Sequence, residues 1–118
     1  MSAMASAVTA FNLLCTIHAS SVGGIATLDE NGKEYTFVID LETGRYCAKY
    51  LCETKPISRV TDATIFLIEK TGDPSSISLW ISRETGRLDW EFGAGNDQTV
   101  RMGKCEKQPF TGFPARKF

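Results

Sequence analysis

No stretch of this sequence approaches the ~20 consecutive apolar residues of a membrane-spanning helix, and no long segment keeps the 3.6-residue period of an amphipathic helix. Histidine occurs once, at His18, so neither a Ser-His-Asp nor a Cys-His arrangement can be built from a local motif. Charge of one sign is not in excess: 13 basic side chains stand against 14 acidic ones. Without a basic stripe, nucleic acid and anionic membrane surfaces are not implied partners. A phosphate-binding loop, a dinucleotide fingerprint and a calcium loop are all missing. What remains has the hydrophobic content of a globular domain, 42%, and its 118 residues suffice for one domain with a buried core.

What the chain does have is alternation. Phe11, Leu13, Cys15 and Ile17 alternate with Asn12, Leu14, Thr16 and His18, which predicts a first strand over 11–19 with His18 turned to solvent. A weaker second strand follows over 22–28, bent at Gly23-Gly24. Asn31-Gly32 is a strong turn signal. Tyr35, Phe37, Ile39 and Leu41 then alternate with Thr36, Val38 and Asp40, up to a tight turn at Glu42-Thr43-Gly44-Arg45. Gly44 supplies the positive φ that closes this hairpin, and a short strand over 45–48 leaves it.

Further on, 57–60 and 64–69 read as strands, the latter a central one covered on both sides because Ile65-Phe66-Leu67-Ile68 is apolar throughout. The surface turn 71–75 leads to Ile77, Leu79 and Ile81, which share one face while Trp80 joins Ser76, Ser78 and Ser82 on the other. Glu84-Thr85-Gly86-Arg87 turns the chain into 88–92, with Leu88, Trp90 and Phe92 facing the core, and 99–106 is the closing strand. The tail carries Pro109 and Pro114, and Phe110 and Phe113 are expected to pack over one end of the sheet.

Seven to nine short strands without a helix predict an all-β fold, a single-domain antiparallel small β-barrel stapled by disulfides, with a sandwich as the alternative. The barrel domain spans 11–118. Residues 1–10, MSAMASAVTA, lack charge, and Val8-Thr9-Ala10 has the small residues preferred before a signal-peptidase cut, but a basic start and a full apolar stretch are missing. They read as a disordered leader, the remnant of an export signal or a vector-derived addition, with a mobile native terminus as the plain alternative.

Cysteines stand at 15, 47, 52 and 105. Zinc sites draw on closely spaced ligand pairs, and Cys15 and Cys105 each stand alone, so no metal is expected. Two disulfides suit a small exported domain better: Cys47–Cys52 as a local loop bridge, and Cys15–Cys105 joining the first strand to the last. No cofactor and no catalytic residue is indicated. The carboxylate pairs Asp40 and Glu42, or Asp89 and Glu91, share a strand face and could serve acid–base chemistry, but a solvated sheet face explains them more simply. Trp80, with Tyr46 and Tyr50, forms the candidate contact surface, since a tryptophan on a serine-rich strand face is a plausible anchor. Cover by the tail or by a loop is the competing reading for Trp80.

FVIDLETGRYC, the ISRETGR turn and the ending KCEKQPFTGFP together resemble small exported proteobacterial β-proteins, over most of the chain after Phe11. That resemblance brings no activity with it. A looser architectural similarity links the chain to periplasmic inhibitors of C-type lysozyme, also small antiparallel barrels with a cysteine in the first strand and another near the end. Their serine-glycine-x-arginine-tyrosine loop is only echoed here by Thr43-Gly44-Arg45-Tyr46. Lipocalins are a third comparison, though their early glycine-x-tryptophan motif is absent from the first strand. The resulting expectation is a non-enzymatic binding module, periplasmic or secreted, whose ligand is an unknown protein or small molecule. Within that expectation, a lysozyme-type inhibitor and a carrier of a small apolar ligand are the two specific alternatives.

Overall fold

The computed structural model describes residues 9–49, 53–72 and 75–113. Ten strands follow one another: β1 (Ala10–Val22), β2 (Ile25–Thr27), β3 (Glu34–Asp40), β4 (Arg45–Ala48), β5 (Lys55–Pro56), β6 (Arg59–Val60), β7 (Thr64–Lys70), β8 (Ser76–Ser82), β9 (Arg87–Gly93) and β10 (Thr99–Gln108), with one 3-10 turn at Gly95–Asp97. All pair antiparallel in one sheet ordered β5-β4-β3-β1-β10-β9-β8-β7-β6, curled into a half-barrel, with β2 paired onto β1 off this path. The first and last strands are neighbours, as expected, but they form the middle of the sheet. Its free edges are β5 and β6, separated in the chain by Ile57 and Ser58 alone. The seam of the barrel therefore lies mid-chain.

Two bulges explain where simple alternation fails. β1 pairs with β10 through Ile17↔Gly103 and then Ala19↔Met102, which leaves His18 unpaired and exposed. Beyond that point the inward positions shift to Ser20 and Val22. Gly103 is required opposite Ile17, because a side-chain carbon there would collide with the Thr16 carbonyl. The second bulge omits Leu67, between Phe66↔Trp80 and Ile68↔Leu79. The run 65–68 is thus not a central strand: β7 is next to the sheet edge, and the bulge gives the run its four apolar positions, with Leu67 buried in the core beside Ile65.

Register aligns the inward side chains in rows. One row runs Ile17, Gly103, Leu88, Ile81, Ile65, and the next runs Thr27, Ser20, Arg101, Trp90, Leu79, Ile68. Phe37, Ile39 and Tyr46 enter the same interior from β3 and β4, and Phe37, Ile17, Ile39, Leu67, Leu79 and Leu88 have almost no exposed area. Side chains fill the middle of the half-barrel. Cys15 and Cys105 face each other directly in the β1–β10 ladder and are disulfide-bonded.

Other expectations change in detail. Thr9 and Ala10, assigned to the leader, belong to the sheet: Ala10 pairs with Asp40, and the Leu41 N–H donates to the Thr9 carbonyl at 2.7 Å. Residues 1–8 lie outside the described ones. The second strand is no bent segment over 22–28 but a hairpin, because Gly23 and Gly24 (φ 59° and 82°) reverse the chain and lay β2 back on β1. As far as Phe113, the tail does not cap an end of the sheet. Instead Thr111 hydrogen-bonds Asn12 on the outer face at 3.0 Å, and Phe113 lies under the Arg45 guanidinium. The outer row there, Asn12, Val38 and Cys47, is buried.

Candidate functional site

The outer face of the other half of the sheet carries a stripe. Register places Arg59, Phe66, Trp80, Asp89, Met102 and Ala19 in one transverse row over six strands, about 24 Å at ~4.8 Å per strand. The row exists because the Leu67 bulge restores Phe66 to the outward phase opposite Trp80, and the His18 bulge does the same for Ala19. Phe66 and Trp80 are half-buried, with ring centroids 6.5 Å apart. The Arg59 guanidinium lies 3.9 Å above the Phe66 ring and forms a two-pronged pair with Glu69, Nη2 to Oε2 at 3.0 Å and Nε to Oε1 at 3.2 Å. These hydrogen bonds hold the Glu69 carboxyl below the usual carboxylate range and fix the cation in place. On the far side of Trp80, Arg87 grips buried Asp89, Nε to Oδ2 at 3.1 Å and Nη2 to Oδ1 at 3.2 Å, and touches the Met102 sulfur. The stripe is an aromatic and charged surface whose two arginines are each paired with a carboxylate.

One mouth of the half-barrel is plugged. The loop 28–33 docks on β1 at the bulge, with the Gly32 N–H on the Ile17 carbonyl (2.8 Å) and the Ile17 N–H on the Lys33 carbonyl (2.9 Å). This brings Glu30 to Arg101 at 2.9 Å and to Lys33 at 3.2 Å, and the Tyr35 hydroxyl donates to Glu30 at 3.2 Å. Arg101 lies 5.1 Å from the Trp90 ring centre and 5.0 Å from that of Phe92. Burial pulls the Glu30 carboxyl up, but the Lys33 hydrogen bond and the Arg101 charge outweigh it and leave its pKa lowered. Burial, with the Glu30 charge beside it, pushes the Tyr35 hydroxyl up.

At the seam, between β4–β5 and β7–β8, a groove of about 370 Å³ is lined by Tyr46, Lys55, Pro56, Leu67, Ile68 and Ile77 among others. A second hollow, about 390 Å³, sits under the β8–β9 turn against Phe11, Leu13, Ile65 and Ile81.

Of the residues singled out from sequence, Trp80 is on the outer face as expected and half-buried, while the described part of the tail lies at Asn12 and Arg45. Tyr46 is corrected: it is 5% exposed and points inward, because the Asp40↔Arg45 turn register puts it opposite Ile39. Tyr50 and Cys52 lie outside the described residues, so the Cys47–Cys52 bridge does too; Cys47 itself is buried. Asp40 caps its own turn, accepting the N–H groups of Glu42 and Thr43. Sequence reasoning missed Phe66, Arg59, Asp89 and Met102 as companions of Trp80. Only the bulge at Leu67 aligns the first two with it. Among the described residues no three His, Cys, Asp or Glu side chains converge as a metal site would require, and no helix is long and apolar enough to cross a membrane. The chain matches no protein-family model, no curated protein and no solved structure.

Proposed function

We propose that the protein is a non-enzymatic binding module of an oxidising, exported compartment, periplasmic or extracellular, that engages another protein through the stripe centred on Trp80. The observation that carries this reading is the composition and order of that row. Arg, Phe, Trp and Met are side chains enriched at protein interfaces, and here they form one row across the sheet. The Arg59–Glu69 clamp and the Arg87–Asp89 clamp pre-order both flanks of Trp80, which lowers the entropy lost on contact. The disulfide supports the compartment, since such bonds persist where thiols are not kept reduced.

A photo-crosslinking side chain in place of Trp80, compared with one at exposed Glu34 on β3, tests this in exported protein. Discrete adducts with another protein from position 80 and not from 34 are the expected result. The same adduct pattern from both positions, or none from 80, removes the stripe as the contact surface. Adding C-type lysozyme to the purified protein asks whether that enzyme is the partner: its inhibition, lost in Trp80→Ala, would give the partner's identity.

A second reading, carriage of a small apolar ligand, rests on the seam groove, whose volume falls in the range of small-molecule sites. A fatty-acid-like fluorescent probe displaced in Ile77→Glu but not in Trp80→Ala would favour it.

A further inference from the structure

We propose that β2 is a pairing edge for a second copy of this chain. The sheet has three strands with an open side among the described residues. Two of them are guarded against pairing: β5 is Lys55-Pro56, with a charge and a residue lacking an N–H, and β6 carries Arg59. The third, β2, reads Ile-Ala-Thr, with neither charge nor proline. The segment 19–28 around it holds no charged residue at all. Its apolar side chains stand out in water: Ile25 is 73% exposed, Leu28 80% and Val22 46%.

The edge is complementary to itself. In a two-residue hairpin the residues flanking the turn, Val22 and Ile25, exchange the ladder hydrogen bonds, so alternation directs the Ala26 N–H and C=O away from β1. Two copies of β2 set antiparallel about a two-fold axis at Ala26 satisfy both groups in each copy, with Ile25 of one copy opposite Thr27 of the other. The same register brings Leu28 to Gly24 of the other copy, a position without a side chain and with open space around it. Asp29 lies past the strand end, in the 28–31 turn, and at the opposite end of the paired strands from its own equivalent, so the pairing meets no like-charge contact.

The two-fold axis is perpendicular to the joined sheet, so both Trp80 stripes face the same side. Trp80 is four strands from β2 and stays uncovered. Three residues and their neighbours bury less than the roughly 800 Å² per partner of a standard interface, which makes this a weak, concentration-dependent dimer. A lipid bilayer fits the tip less well, because exposed Asp29 and Asp97 flank it and basic residues do not.

Sedimentation velocity of the oxidised, full-length protein over about three decades of concentration is the test, since a weak equilibrium is read only across such a span. The wild type should pass from monomer toward dimer. Ala26→Pro, which removes the outward N–H and leaves the bonds to β1 in place, and Ile25→Lys should both remain monomeric, with circular dichroism and melting like the wild type. A wild type that stays monomeric throughout overturns the proposal, as does a dimer that persists in both variants. So does a monomer that instead binds phosphatidylcholine vesicles in an Ile25-dependent way.

Discussion

Gly44 and Gly86 occupy the same place in two turns of the same sequence, Glu-Thr-Gly-Arg, and both take left-handed backbone, φ 69° and 79°. Their surroundings differ. A methyl group on Gly44 would meet nothing within 4 Å, whereas one on Gly86 would lie 2.6 Å from the Cys105 backbone oxygen. That oxygen has little room to retreat: the Cys105 N–H donates to the Gly86 carbonyl at 2.7 Å, and Cys105 is tied to Cys15.

An alanine in left-handed backbone costs about 1–2 kcal/mol at either site. At Gly86 the displaced Cys105 peptide adds a weakened hydrogen bond, about 0.5–1.5 kcal/mol, and strain at the middle of the sheet. Gly86→Ala should therefore cost roughly 3 kcal/mol or more, against about 1–2 for Gly44→Ala. Urea denaturation of the oxidised proteins separates them, because with a slope near 2 kcal/mol/M each kcal/mol moves the midpoint by roughly 0.5 M. Asparagine isolates the steric part, since it tolerates left-handed backbone. Gly44→Asn should stay near the wild type and Gly86→Asn should not. Equal shifts at the two glycines would refute the reasoning.

Replacing Cys15 and Cys105 together by serine opens a loop of 90 residues, for which chain entropy alone gives roughly 4.5 kcal/mol and native bridges typically 2–5; the urea midpoint of the double variant should fall accordingly. Glu30 has its folded pKa below the ordinary 4.5, so its contribution is fully present above the ordinary value and is lost as pH falls through the lower, folded one. The wild type should exceed Glu30→Gln in melting temperature at pH 7, and the gap should close in acid below about pH 4, the range in which carboxylates protonate. A gap that instead widened in acid would put the stabilising proton on the wrong state.

Much of the fold could be read from period-two alternation, because each strand has one wet and one dry face. Phe11 to Ile17, Phe37 and Ile39, Leu79 and Ile81, and Leu88 all take the inward positions that alternation assigns them. The Cys15–Cys105 bond followed from the neighbouring of first and last strands. What alternation cannot carry is a phase change. His18 and Leu67 each add one unpaired residue, and nothing in their chemistry announces it; the glycine opposite Ile17 was the nearest signal. Both ends of the stripe around Trp80 sit beside a phase change, while Asp89 and Met102 join it through ladders without a bulge. Tyr46 was legible and misjudged, since counting across the turn from Asp40↔Arg45 puts it beside Ile39 in the core.

The order of the sheet divides the chain into two halves: β6–β10 is a simple meander, whereas in β1–β5 both β2 and β3 pair with β1. Two things join them, and they are unequal. The β1–β10 ladder carries ten register pairs and the disulfide, and it closes the longest loop in the molecule, where ordering costs most chain entropy. The seam offers only two-residue strands, each paired through two residues, and one of them is Lys-Pro. Local opening free energy follows the number of buried contacts and ladder bonds that must be given up, so the sheet frays first at its free edges, β5 and β6, and opens last at β1–β10. The groove against Tyr46 and Ile77 lies on the weak side. The Trp80 stripe runs from one to the other, starting at Arg59 on the seam and ending at Ala19 on the stapled strand. A partner that bound the whole stripe would tie the weak edge to the strong one, so binding should protect the β6 amides from exchange more than those of β1.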